Sequence, residues 1–287
     1  MKAKCSDCPR KCGAIRPQGV CHAPDGFLVS RIALHPYEEP VISGQNGSGT
    51  VFFGGCNLGC VFCQNKEISR GGKGIIMTDG ELKKEIFALV EKGAHNINFV
   101  TPSHYTKRLA ELLLDIKPKL PIPVVYNSSG YDSIESLKAL DGLIDVYMPD
   151  LKYFSAELSK KYSKAPAYFE VAKNAILEMH RQCPSLVFGE DGTLKKGLIV
   201  RHLVLPTHRK DSENVLKALA EAIPPSEMLL SLMSQYTPEF CDEGFPELSR
   251  RLTSFEYSYV SKIAIELGFD GFFQERSSAS KKYTPDF

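Results

Sequence analysis

The sequence predicts an α/β fold in which parallel strands alternate with helices, preceded by a cysteine-rich segment too poor in apolar residues to fold on packing alone. Three observations carry that reading. From residue 50 onward, apolar strand-like runs alternate with segments of helical periodicity, the pattern of a parallel sheet wrapped by helices. Seven of the nine cysteines fall within the first 63 of the 287 residues. No internal repeat or low-complexity stretch interrupts the chain. The division this suggests is 1–49 as a cysteine-rich extension with a β-hairpin, and 50–287 as a barrel-type body with a C-terminal extension.

Residues 1–26 read as loop, because Pro9, Gly13, Pro17, Gly19, Pro24 and Gly26 break up four cysteines. Phe27 to Leu34 is strand-like, and Val41-Ile42-Ser43 reads as a further short β segment. The turn-rich stretch Gly44 to Gly49, with Asn46-Gly47 inside it, then separates that segment from Thr50 to Phe53. The turn lacks the Gly-Lys-Ser/Thr ending of a phosphate loop. Strands are expected at 50–55, 96–101, 122–128, 143–150, 198–205 and 228–235. Between the first two, Asp79 is expected to cap a helix that buries Leu82, Ile86, Leu89 and Val90 and stops at Gly93. Further helices are expected at 104–117, 133–140, 167–182, 212–223 and 247–267. Gly189-Glu190-Asp191-Gly192 makes 186–197 a hairpin excursion outside the alternation.

Charge excludes little but orients the reading. Thirty-five basic residues against 34 acidic leave a formal net charge of +1, so nothing points to a polyanion such as a nucleic acid. Met-Lys-Ala-Lys-Cys is followed by no apolar stretch and no run reaches membrane-spanning length, so a cytoplasmic protein with no membrane partner is expected. In a reducing compartment, an odd number of tightly spaced cysteines argues for metal rather than disulfides.

Residues 54–65 read Gly-Gly-Cys-Asn-Leu-Gly-Cys-Val-Phe-Cys-Gln-Asn and place Cys56, Cys60 and Cys63 three and then two residues apart. A cubane iron–sulfur cluster normally takes four thiolates. A loop offering three leaves one iron open to substrate, as catalytic zinc sites keep an open position. This Cys-x-x-x-Cys-x-x-Cys motif, with the aromatic Phe62 before its last cysteine, closely resembles the radical S-adenosylmethionine (SAM) superfamily. The resemblance implies a partial (β/α)6 barrel and a [4Fe-4S] cluster at Cys56, Cys60 and Cys63. It also implies reductive cleavage of SAM to a 5′-deoxyadenosyl radical that abstracts hydrogen, in an oxygen-sensitive oxidoreductase-type enzyme served by an electron donor such as flavodoxin or ferredoxin. Over almost its whole length the chain also resembles the uncharacterised proteins similar to pyruvate formate-lyase activating enzyme, from the N-terminal Cys-x-x-Cys-Pro-Arg-x-Cys-Gly to the ending Gln274, Tyr283, Pro285 and Phe287.

Polar residues at the ends of barrel strands earn a functional reading first. After the second strand, Thr101-Pro102-Ser103-His104 stands where the superfamily often has a Gly-Gly-Glu-like segment for the cofactor's amino group. Backbone carbonyls, Thr101 and Ser103 are the acceptors expected there. Asn127-Ser128-Ser129-Gly130 resembles the Asp-Thr-Asn-Gly of the activases, so Asn127 replaces a carboxylate and weakens any cation site built on it. Asp150-Leu151-Lys152 matches their Asp-x-Lys, which implies contacts to the cofactor or a nearby cation. Arg201 is the candidate for the cofactor carboxylate, since a guanidinium binds carboxylate bidentately. His202 would face the other way on an extended strand. Ser234-Gln235-Tyr236 could line the adenine or substrate pocket, with Gln235 the chosen contact beside Phe62 and Ser129.

Cys5, Cys8, Cys12 and Cys21 complete a tetrathiolate set in a segment without a core of its own, so a metal is the expected organiser. A second [4Fe-4S] cluster and a structural zinc both fit, and the lone Cys5-x-x-Cys8 pair leans toward the cluster. Cys183 and Cys241 read as structural thiols. The expected substrate is either the backbone glycine of a partner enzyme, as for an activase, or another protein, peptide or metabolite. Against the activase, the extra cysteines precede the radical motif rather than follow it. A non-catalytic iron–sulfur or zinc protein is the remaining reading.

Overall fold

The computed structural model describes residues 4–70 and 72–274; Tyr283, Pro285 and Phe287 lie outside them. Strand β1 (Phe27–His35) runs antiparallel to β2 (Ser48–Phe53), with Val29 opposite Phe53 and His35 opposite Ser48. Between them lies a helical turn, α1 (Pro40–Ser43), where Val41-Ile42-Ser43 had suggested a β segment. Pro40 explains the difference. Its fixed φ suits the first helical position and its missing N–H weakens a strand, while Ile42, fully buried, is taken up by the interior of the sheet.

After the cysteine loop come α2 (Lys66–Ser69) and β3 (Ile75–Met77), which joins the free edge of β1 antiparallel. Helix α3 (Asp79–Glu91) buries Leu82, Ile86 and Leu89, but its cap is Thr78 rather than Asp79. Thr78 Oγ1 accepts from the Glu81 N–H and Glu81 Oε2 accepts from the Thr78 N–H, a capping box that Asp79, one residue inside, cannot form. The alternation then runs β4 (Ile97–Val100), α4 (Thr106–Ile116), β5 (Val124–Ser128), α5 (Ile134–Lys138), β6 (Val146–Pro149), α6 (Ala156–Ser163) and α7 (Tyr168–Gln182). It closes with β7 (Val187–Phe188), β8 (Leu194–Leu203), α8 (Arg209–Ala222), β9 (Leu229–Met233), α9 (Ser254–Glu266) and β10 (Gly271–Phe273). The expected hairpin at 186–197 is the antiparallel β7–β8 pair. The expected helix at 247–267 begins only at Ser254, after a separate turn at Pro246–Leu248.

The sheet order is β10-β9-β8-β6-β5-β4-β2-β1-β3. All neighbours from β2 to β10 are parallel, and the sheet does not close on itself, which makes a partial barrel. Strand period two sorts the core. Phe53, Phe99, Tyr126, Tyr147, Val200 and Leu232 pack outward with the helices, whereas Val125, Val146, Met148, Ile199 and Leu229 face the lumen with Ile42 among them. The segment leading to α1 therefore plugs the lower lumen, and the space above it opens at the carboxyl ends of the strands. Among the described residues no helix is long and apolar enough to cross a membrane.

Candidate active site

β2 delivers the chain directly into the cysteine loop. Gly55 has φ +83°, and a Cβ there would stand 2.3 Å from the Cys21 carbonyl oxygen, so the glycine admits the N-terminal segment against the loop. Cys60 Sγ lies 2.9 Å from Ser163 Oγ, Cys63 Sγ lies 3.4 Å from Ser69 Oγ, and Cys56 Sγ accepts from the Leu58 N–H at 3.4 Å. Burial pushes the Cys56 thiol up, and the neighbouring Cys60 and Cys63 push it further. The three sulfurs are near neighbours, and a bound cationic metal favours them as thiolates. Among the described residues no three His, Cys, Asp or Glu side chains close around a single-ion position.

Opposite the loop stands a buried ionic network. Arg201 on β8 donates from Nε to Asp150 Oδ1 at 2.9 Å and from its terminal nitrogen to Asn127 Oδ1 at 2.7 Å. Lys152 Nζ meets Asp150 Oδ2 at 2.5 Å. Burial alone would raise the Asp150 carboxyl, yet Arg201 and Lys152 outweigh it and hold the group below the ordinary aspartate value. Burial works against the Lys152 charge too, but Asp150 and the Cys60 thiol raise its pKa on balance, so Lys152 electrostatically joins the network to the cysteine loop. Alternation along β8 explains the polarity: Arg201 faces the lumen, while His202 points outward, its two ring nitrogens against Leu151 O at 2.6 Å and Ser212 Oγ at 2.8 Å. Burial holds His202 below the usual histidine range. It is a satisfied core residue.

One cleft, open to solvent, gathers the two halves. Cys56, Cys60, Cys63, Phe62, Thr101, Asn127, Ser129, Asp150, Lys152, Arg201 and Gln235 all line it. Ser129 Oγ is buried with no partner in the protein, which suits a hydrogen bond to a bound molecule. Thr101 takes φ +59°, a left-handed turn that ends β4 at the rim. Ser103 is not at the cleft; it is buried beneath, beside Asp132. His104 is likewise buried, with Nε2 at 3.0 Å from Gly54 O, and burial lowers it to about 3. The cleft also holds a carboxylate that the sequence reasoning missed, Glu38, supplied by the plug segment ahead of α1. Its signal in the sequence was weak, since Glu38-Glu39 between Tyr37 and Pro40 looks like a solvated turn.

The N-terminal cysteines are neighbours within the segment that packs on Gly55. Burial raises Cys8 to about 11, with Cys21 and Cys5 among its neighbours, and burial also raises Cys21, which has Cys5 and Cys12 nearby. Gly19 sits in their midst: a Cβ there would lie 3.4 Å from Cys12 Sγ and 3.9 Å from Cys21 Sγ. Two arginines fasten this segment. Arg16 bonds Asp7 at 2.9 Å and the His104 carbonyl, and its guanidinium lies over Tyr105. Arg10 donates to the carbonyls of Asn57 at 2.8 Å, Lys164 at 2.6 Å and Ser163 at 3.4 Å. Arg10→Ala is expected to cost about 1–3 kcal/mol by removing these bonds, that to the partly buried Asn57 carbonyl above all, a loss that urea unfolding of the isolated protein measures directly.

Residues 50–190 match the family model of the radical SAM superfamily. An uncharacterized protein of Methanocaldococcus jannaschii is 29% identical over 93% of this chain and 75% of its own length. The fold is similar to that of methylornithine synthase, with a TM-score of 0.50 at 16% identity over 75% of this chain. It is also similar to that of Streptococcus suis SuiB, solved bound to its precursor peptide SuiA, with a TM-score of 0.51 at 9% identity over 74% of this chain. The chain spans 63% of the first of these structures and 43% of the second, less than two-thirds of either.

Proposed function

Because this chain belongs to the radical SAM superfamily, we propose that it is a radical enzyme abstracting hydrogen from a protein or peptide, with Cys56, Cys60 and Cys63 as ligands of a [4Fe-4S] cluster. The observation that carries this reading is the convergence of the three thiols and the Asp150–Arg201–Lys152 network on one cleft at the carboxyl ends of the parallel strands. When bound there, the reduced cluster supplies the electron that cleaves SAM to methionine and a hydrogen-abstracting 5′-deoxyadenosyl radical.

The protein's own residues bind and orient. Arg201 presents its guanidinium to a carboxylate, held in place by Asp150 and Asn127. Burial raises the Cys60 thiol, and Lys152, keeping positive charge beside it, opposes that rise. Ser129 Oγ and Thr101 offer polar contacts at the rim, and the buried ring of Phe62, packed on Tyr162 and Tyr236, limits water beside the loop. Gln235 borders the far end, its backbone oxygen accepting from Gln64 at 3.3 Å.

A peptide or protein substrate is supported by the open cleft and by SuiB, whose structure holds its precursor peptide. A glycyl-radical activase is the narrower form of this reading, supported by Asp150-Leu151-Lys152 and weakened by Asn127. A flavodoxin or ferredoxin as electron donor is supported by a second opening beside Cys56, bordered by Arg10, Arg70 and Lys164 with Asp242 as its one acid. Residues 1–49 carry the second metal, a [4Fe-4S] cluster or zinc, at Cys5, Cys8, Cys12 and Cys21, in a cytoplasmic, oxygen-sensitive protein. The protein reconstituted anaerobically with iron and sulfide, then reduced with dithionite, is expected to convert SAM to 5′-deoxyadenosine and methionine. A well-formed cluster that neither binds nor cleaves SAM overturns the proposal. Metal analysis of protein purified anaerobically separates four irons from eight, and either from four irons with one zinc.

A further inference from the structure

The lining of the cleft contains two carboxylates, and they differ in how fully they are used. Asp150 is saturated by Arg201 at 2.9 Å and Lys152 at 2.5 Å. Glu38 is not. Its Oε2 lies 3.7 Å from Arg201 and 3.5 Å from Asn127 Nδ2, the outer limits of an ion pair and a hydrogen bond, although its side chain is only 8% exposed. Burial pushes its carboxyl up to about 7, with Glu39 adding to the rise and Arg201 opposing it too weakly to cancel it. The neighbouring Asn98 side chain also opposes the rise, but a buried acid in that condition lacks a close cation.

Its position is built rather than accidental. The Glu38 N–H donates to Ser43 Oγ at 3.0 Å, and Ile42 of the same helical turn is fully buried in the lumen, so the plug fixes the carboxylate as part of the cleft floor. The residue it touches there is Asn127, and the end of β4 offers Thr101 at the rim while Ser103 is buried beneath. Both of these strand ends present neutral side chains to the cleft, and the acid beside them comes from a segment outside the barrel strands.

Resting on the functional reading above, we infer that Glu38 is a SAM-binding residue of this protein, accepting from the cofactor's ammonium beside Asn127. SAM's own carboxylate answers Arg201, and Asp150 is already held by Arg201 and Lys152. Of the two carboxylates lining the cleft, Glu38 is therefore the one left to face the positive charge that SAM brings.

The test is equilibrium binding of SAM to the cluster-loaded protein, with iron content and thermal melting checked for each variant. Glu38→Gln is expected to weaken binding about 10- to 100-fold, the cost of removing a charged hydrogen-bond acceptor. Asn127→Asp introduced into Glu38→Gln is expected to recover most of that loss, because it returns the charge from the neighbouring strand end. Should Glu38→Gln fail to fold, Glu38→Asp, which keeps the charge but draws it back by one methylene, is expected to weaken binding less than 10-fold in a folded protein, and Asn127→Asp alone to tighten it. Wild-type affinity in Glu38→Gln, or a double variant as weak as the single, overturns the inference. In the fallback pair, unchanged affinity in both variants does the same. Loaded wild-type protein that binds no SAM overturns instead the functional reading on which it rests.

Discussion

Cys60→Ala is expected to reduce 5′-deoxyadenosine formation to background while the protein remains folded. The argument combines spacing with geometry. A cubane already short of one protein ligand has no spare thiolate in the loop, since Cys56 and Cys63 are committed and the N-terminal cysteines lie on the other side of Gly55. The fold does not depend on the Cys60 side chain, whose described polar partner is Ser163 Oγ, itself shared with Tyr153 at 2.8 Å. The checks are 5′-deoxyadenosine quantified by chromatography and iron counted beside the wild type. The variant should also lose the iron of this loop, while any metal held by the four N-terminal thiols is unaffected. Turnover preserved in Cys60→Ala, and again in Cys56→Ala and Cys63→Ala, would remove the basis of the functional reading.

Asp150→Ala is expected to produce the largest loss of stability of any single change in the cleft, about 3–5 kcal/mol, because it leaves Arg201 and Lys152 as buried cations without their shared counter-ion. Urea unfolding of the wild type and variant gives the difference. The pH dependence identifies its origin. Asp150 has a depressed pKa in the folded protein, so its contribution is present above the ordinary aspartate range and is lost as pH falls through the folded value. The two unfolding curves should therefore differ fully at neutral pH and converge in acid. Adding Lys152→Met to Asp150→Ala removes one stranded cation and is expected to regain part of the loss. A variant as stable as the wild type at pH 7 would mean that solvent, not Asp150, satisfies both cations.

Much of this arrangement was legible from short-range pattern. Parallel strands buried on both faces are written as apolar runs, so β4, β5, β6, β8 and β9 could be placed within a few residues. The cysteine loop was legible because three ligands of one cluster must be close in sequence when one loop carries them all. Arg201 and His202 could be assigned to opposite faces from strand geometry alone. What was not legible depended on contacts between distant segments. β3 and β10, each three residues long, are strands because an existing sheet edge pairs with them. α1 was misread because Val41 and Ile42 are apolar, a property that serves a plug as well as a strand. Ser103 and Thr101 could not be told apart from sequence, since the left-handed turn at Thr101 sends one to the rim and the other beneath it.

The sequence by itself therefore determined the alternating α/β architecture, the three-thiol loop and the polar residues at the strand ends, because each is set by spacings of two to four residues that local geometry converts directly into a face or a site. Only the tertiary structure decided that Glu38 belongs with Arg201 and Asn127, that the N-terminal segment at Cys21 packs against Gly55, and that His202 is structural. These depend on burial, and burial is decided by which remote segments pack together. A carboxylate between Tyr37 and Pro40 becomes a charged floor only after Ile42 has closed the lumen beneath it.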